Sequence, residues 1–160
     1  MKHFLYSIVM ISLFSGCTVS ENIYYEQFEA VNPESWEWED VKKFEFEVTD
    51  SSHLYNLFCG LRIDSDYYYS NIWLIYVLRG PNGYMRKDQF QVVLSDNFGK
   101  WKGEGVSNLI SYRTPFIKNQ QLKKGKYTLE VFQNMRDESL EHVNNVGLQI
   151  LKGQLVLASN

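Results

Sequence analysis

A chain of 160 residues with a formal net charge of −3 has the size of a single domain and a mildly acidic balance. That balance, with no block of Lys or Arg, argues against a nucleic-acid partner. Two cysteines are too few for a disulfide framework.

The N-terminus opens with a short basic head, Met1-Lys2-His3, followed by an uncharged, mostly apolar run from Phe4 to Phe14. As a helix that run would reach about 16 Å, roughly half of a bilayer's hydrocarbon core. It has the length of a signal-peptide core rather than of a membrane span, and a buried helix of the folded domain is the alternative. Phe14-Ser15-Gly16-Cys17 follows directly. Small residues before a cysteine suit a peptidase that closes on extended backbone, and the thiol is an acceptor for a diacylglyceryl group. The segment resembles a lipobox, with Phe14 where Leu is usual. The expected organisation is a lipoprotein signal over 1–16, a lipidated N-terminus and tether over 17–37, and one domain over 38–157. Acyl chains on Cys17, at roughly 0.8 kcal/mol per buried methylene, would make the membrane attachment effectively permanent. Thr18 is not the Asp that retains lipoproteins in an inner membrane, and Ser20-Glu21 is a weak acidic cluster. The expected location is therefore the periplasmic leaflet of an outer membrane.

Beyond the tether, which is polar, acidic and broken by Pro33, the sequence takes a period of two. Trp36-Glu37-Trp38-Glu39 alternates, and Trp38 is expected to pack as the first edge of the domain. Phe44, Phe46 and Val48 alternate with Glu45 and Glu47. Tyr55, Leu57, Cys59, Leu61 and Ile63 share the next face. Asn71–Leu78 is nearly all apolar, as expected of a strand buried on both sides. Phe90, Val92 and Leu94, then Tyr127, Leu129 and Val131, then Val146, Leu148 and Ile150 complete the pattern. Such alternation, rich in aromatic and β-branched residues, predicts strands. Pro81-Asn82-Gly83, Asp96-Asn97-Phe98-Gly99 and Lys124-Gly125 punctuate them as turns. Only Asp137–Val143 offers a short helical turn. The fold class is all-β, an antiparallel β-sandwich with jelly-roll connections expected.

Little points to catalysis. His53 and His142 have no metal-ligand spacing, and no P-loop, H-E-x-x-H, C-x-x-C or G-x-S-x-G pattern occurs. His53, beside Ser51-Ser52, reads as a residue of a solvated turn. Cys59 sits among apolar neighbours and reads as a small buried hydrophobe rather than a nucleophile. Asp64, Asp66 and Asp96 offer loop oxygens for calcium, but turn residues bonding their own backbone account for them more simply. Paired-carboxylate hydrolysis would require two of them across a cleft. No cofactor, metal or small-molecule ligand is expected.

Aromatic residues are the unusual feature, at 16% of the chain. Tyr67-Tyr68-Tyr69 with Trp73 and Trp101 suits core packing first, a protein-contact surface second and a sugar-stacking platform third. Alternation points Tyr68 opposite to Tyr67 and Tyr69.

The ordered motifs resemble the gliding-motility lipoprotein GldH family. They start at Cys17, then Trp38-Glu39-Asp40, Tyr55, Leu61-Arg62, Tyr67-x-Tyr69-Ser70-Asn71-Ile72-Trp73-Leu74, and Asp88. They continue through Leu94-Ser95-Asp96, Gly99-Lys100-Trp101-Lys102-Gly103-Glu104-Gly105 and Gly125-Lys126-Tyr127. The most specific part comes last, in Gln133-x-Met135-Arg136-Asp137-Glu138-x-Leu140, Val143 and Val146-Gly147-Leu148-x-Ile150. Gln89 and Gln149 depart from the Thr and Arg usual there. The resemblance implies a non-enzymatic role in gliding, through contacts with other envelope proteins of the machinery. It carries over one functional position, Cys17, and no catalytic residue. The candidate contact residues are Tyr67, Tyr69, Trp101, Arg136 and Asp137. A salt bridge holding the loop is the alternative role for Arg136 and its acidic neighbours.

Overall fold

A computed structural model describes residues 22–156. The signal expected over 1–16, the expected acceptor Cys17 and the chain up to residue 21 lie outside the described residues, as do 157–160.

The described chain is built from antiparallel strands. In order they are β1 (Ile23–Ala30), β2 (Trp36–Glu37), β3 (Lys42–Val48), β4 (His53–Asp64), β5 (Asn71–Arg79), β6 (Met85–Val93), β7 (Glu104–Val106), β8 (Leu109–Gln121), β9 (Gly125–Gln133), β10 (Ser139–Leu140) and β11 (Val143–Leu155). One sheet has the order β1-β11-β4-β8-β7, a second β3-β9-β5-β6, and β2 pairs with β10 in a small ribbon. Among the described residues the only helical turn is a single 3-10 turn at Pro81–Gly83. There Asn82 and Gly83 take positive φ and close the β5–β6 hairpin, as the turn signal requires. The helical turn expected in Asp137–Val143 does not form, because Ser139 and Leu140 pair with Glu37 and Trp36 instead.

The period of two places the core as the sequence predicts. Phe44, Phe46 and Val48 from one sheet and Tyr55, Leu57, Cys59, Leu61 and Ile63 from the other belong to one buried cluster, with Leu129, Val131, Val146, Leu148 and Ile150. The two sheets thus face each other across a shared apolar layer, the β-sandwich solution to burying two half-apolar sheets. Cys59 is fully enclosed in that layer, and burial pushes its thiol up to about 12. The folded protein should therefore leave Cys59 unmodified by a maleimide at pH 8, and label there only after denaturant is added. Labelling in the native state would refute the packing.

Three expectations change. First, the stretch expected as tether contains β1, so the domain begins before residue 38. Phe28 of β1 lies flat across Gly60 and Gly147, which face each other on β4 and β11. A Cβ at either glycine would fall 2.6 or 2.5 Å from that ring, and the Arg62 guanidinium stands 4.2 Å above it. Second, Trp36 rather than Trp38 enters the core: Trp36 is 0% exposed and Trp38 42%. β2 is two residues long, and the turn after it, with Asp40 N–H donating to the Glu37 carbonyl, carries Trp38 back to the surface. Third, β5 is covered on both sides only in part: on its outer face Val77 is buried, at 7% exposed, but the start of the strand is not. Ile72, Leu74, Tyr76 and Leu78 enter the core, whereas Trp73 is 36% exposed on the outer face. Ile75, beside Phe132 of β9, is half-buried there.

Candidate functional site

The strand ends away from Ile23 gather four connecting segments, 31–41, 64–70, 94–103 and 134–142. Two of them, 64–70 and 134–142, form one surface with the start of β5. Gln133, the last residue of β9, is 2% exposed although polar. Its Nε2 donates to the carbonyls of Asp137 at 3.1 Å and Glu138 at 3.0 Å, and its Oε1 accepts from Met135 N–H at 2.8 Å. One buried amide thereby satisfies three backbone groups and fixes the shape of the 134–138 loop. The loop is also tied sideways to β5. Asn134 N–H donates to the Trp73 carbonyl at 2.8 Å, and Trp73 N–H points at Met135 Sδ, 3.2 Å away.

Against this loop stands the tyrosine segment. The Tyr69 hydroxyl donates to the Asp137 carboxylate, which raises the phenol's pKa above its ordinary value. Tyr67 is turned inward, 4% exposed, with its pKa raised by burial and by Tyr69 and Asp137. Tyr68 is 88% exposed, its ring 5.1 Å from that of Tyr69 and almost perpendicular to it. The Tyr69–Asp137 bond forms a ridge between two depressions. One, of about 660 Å³, runs over Asn71, Trp73, Gln89, Asn134, Met135 and Arg136. The other, of about 350 Å³, lies over Asp66, Tyr68, Ser139, Glu141 and His142.

Of the five residues expected to make contacts, Tyr69, Arg136 and Asp137 thus line one groove. Tyr67 borders only the smaller depression, from its buried position. Trp101 lies apart, partly buried against the core and bridged to Ser95. Cys17 lies outside the described residues. Arg136 is exposed and forms no ion pair among the described residues. The Asp137 carboxylate holds the loop through a tyrosine rather than through a salt bridge. Sequence reasoning underrated Gln133, since a polar residue closing an alternating strand carries no mark of being buried. Trp73 was underrated because its strand reads as apolar on both faces.

The second depression carries the one mixed cluster of potential metal ligands among the described residues, Asp64, Asp66 and His142. His142 Nδ1 is 3.0 Å from Asp64 Oδ2, and Asp64 Oδ1 accepts from Asp66 N–H at 2.9 Å. These contacts occupy both carboxylate oxygens of Asp64 within the protein. Asp96 behaves similarly, its Oδ1 accepting from the Phe98 and Lys100 amides at 2.9 Å each. Those two bonds pull its carboxyl pKa below the ordinary range. Both aspartates shape turns.

The family model described as GldH lipoprotein matches residues 23–150. Two curated proteins are similar to the chain. The "Gliding motility lipoprotein GldH homolog" of Christiangramia forsetii is 29% identical, over 91% of this chain and 92% of its own length. The "Gliding motility lipoprotein GldH" of Flavobacterium johnsoniae is 27% identical, over 79% and 82%. Among solved structures, the infectious bursal disease virus VP2 subviral particle aligns with 82% of this chain and 34% of its own. That alignment has 12% identity and a TM-score of 0.37.

Proposed function

Because this chain belongs to the GldH lipoprotein family, we propose that it is a non-enzymatic component of the bacterial gliding-motility machinery. It is held by acyl chains on Cys17 to the periplasmic leaflet of the outer membrane, after removal of residues 1–16, and works through contacts with other envelope proteins. The family match over nearly all of the described chain carries this reading, and the names of both curated relatives support it. With β1 in the domain, the tether shortens to the few residues between Cys17 and Ile23. No helix among the described residues is long and apolar enough to cross a membrane.

The long strands pair first with last and then inward: β1 with β11, β3 with β9, β4 with β8, β5 with β6. That nested order supports reading the sandwich as a jelly roll. The contact surface is the groove of Tyr69, Trp73, Arg136 and Asp137. It combines a partly exposed tryptophan, a solvent-facing guanidinium and a loop already held in shape, the features that concentrate binding energy at interfaces. A sugar platform fits less well, since Tyr67 is buried and Tyr68 stands edge-on to Tyr69.

Deleting the gene should abolish cell spreading on agar, and a wild-type copy should restore it. Cys17→Ala should remove the protein from the outer-membrane fraction. Arg136→Glu, at unchanged protein level, should fail to restore spreading. A deletion strain that spreads normally sinks the reading, and full rescue by Arg136→Glu sinks the assignment of the groove.

A further inference from the structure

Charge is divided between the two ends of the sandwich. The end where β1 begins also holds the turns 49–52, 80–84 and 122–124. The register confirms the grouping: Ile23 pairs with Leu151, Leu54 with Gln121, Val48 with Gly125 and Arg79 with Met85. This end carries Arg79, Arg86, Lys123, Lys124, Lys126 and Lys152 against Glu47, Asp50 and Glu130. Lys152 binds Asp50 at 2.6 Å and Arg79 binds Glu130 at 2.6 Å, while Lys123, Lys124 and Lys126 face solvent. Exposed Ile23, Met85 and Leu155 lie among them. The opposite end is acidic. Its 31–41 segment bears Glu34, Glu37, Glu39 and Asp40 with no Lys or Arg, Asp64 and Asp66 stand in 64–70, and Asp137, Glu138 and Glu141 outnumber Arg136 in 134–142, against Lys100 and Lys102 beside Asp96 in 94–103.

We propose that the basic end, centred on Lys123, Lys124 and Lys126, docks on the anionic phospholipid surface of the leaflet that holds the anchor. The acidic end, with the Tyr69–Arg136 groove, then points away from the membrane. The proposal rests on acylation of Cys17 as read above. Four residues separate Cys17 from Asn22, and the five steps between them span at most about 18 Å of extended chain. A tether of that reach lets the strand end at Ile23 come down to the headgroups, where the surface potential decays over about 8 Å in physiological salt. Each lysine near such a surface changes partition about fivefold. The carboxylates of the far end are repelled by the same potential, so attraction and repulsion select one orientation. Ile23, Met85 and Leu155 would meet the headgroup region.

The test uses the acylated protein isolated from envelopes, in vesicles of phosphatidylcholine alone or with one-third phosphatidylglycerol. Backbone amide exchange in 80–84 and 122–126 should slow severalfold on the anionic vesicles, with 64–70 and 134–138 unchanged. Lys123→Glu/Lys124→Glu should restore the rates seen on phosphatidylcholine. Protein that floats with both vesicles but exchanges equally on them overturns the docking and leaves the anchor standing. Slowing confined to 64–70 and 134–138 overturns it as well. If these turns are protected in whole envelopes but not on either vesicle, the basic end binds a protein and the lipid assignment fails. Protein that floats with neither vesicle overturns the anchor, and the docking with it.

Discussion

Trp36→Ala should lower the melting temperature by roughly 10–15 °C, the equivalent of about 3–5 kcal/mol. The indole is 0% exposed and its Nε1–H donates to the Asp40 carbonyl at 2.9 Å. The substitution removes the apolar ring, leaves a cavity beside Leu140, and strands the Asp40 carbonyl in the turn after β2. Trp38→Ala, two residues away and at a surface position, should move the melting temperature by no more than about 3 °C. Thermal melts of the two variants decide between them. A larger effect at Trp38 would mean that the segment before β3 packs with the other tryptophan inward.

Gln133→Leu should cost about 2–4 kcal/mol, because three hydrogen bonds worth roughly 1 kcal/mol each are lost and an apolar side chain meets backbone groups that must find water. Leu keeps the volume of the buried position, so the loss reports on the polar network rather than on packing. The more specific readout is local. Amide exchange in 134–138 should rise well beyond the global change in stability, since Met135 N–H loses its acceptor and the 137 and 138 carbonyls lose their donor. The variant should also fail to restore spreading in the deletion strain even where it accumulates normally, because Arg136 and Asp137 no longer hold the groove. Unchanged exchange in the loop would show that other contacts, such as Asn134 to Trp73, are sufficient to shape it.

Both variants lie at strand ends, where a period of two does not say which residue goes inward. For β3, β4, β9 and β11 the alternation marks strand and inward face together, because each has one face in the core and a more exposed face opposite. β1 and β8 lack that contrast. β1 is an edge strand whose side of the sheet nearest the core includes Gln27 and Glu29, linked to each other by a hydrogen bond at 2.5 Å. β8 carries Pro115 opposite Phe58, a residue tolerated where a strand borders water, and register shifts near Leu57 break its period. A strand of this kind is held by what lies beside it, and the neighbours are far away in sequence.

By itself the sequence determined the all-β class, most of the core, the hairpin turns, the lipobox expectation and the family. Those depend on local period, turn chemistry and ordered motifs, which are written residue by residue. Tertiary structure alone decided that β1 belongs to the sheet. Phe28 docks there because Gly60 and Gly147, distant in the chain, leave a trough side by side. It also decided that Trp36 is the buried tryptophan, that Gln133 organises the 134–138 loop, and that Tyr69 meets Asp137. Each of these depends on two or more segments arriving at one place, and a period of two says which way a side chain points but not what it will face.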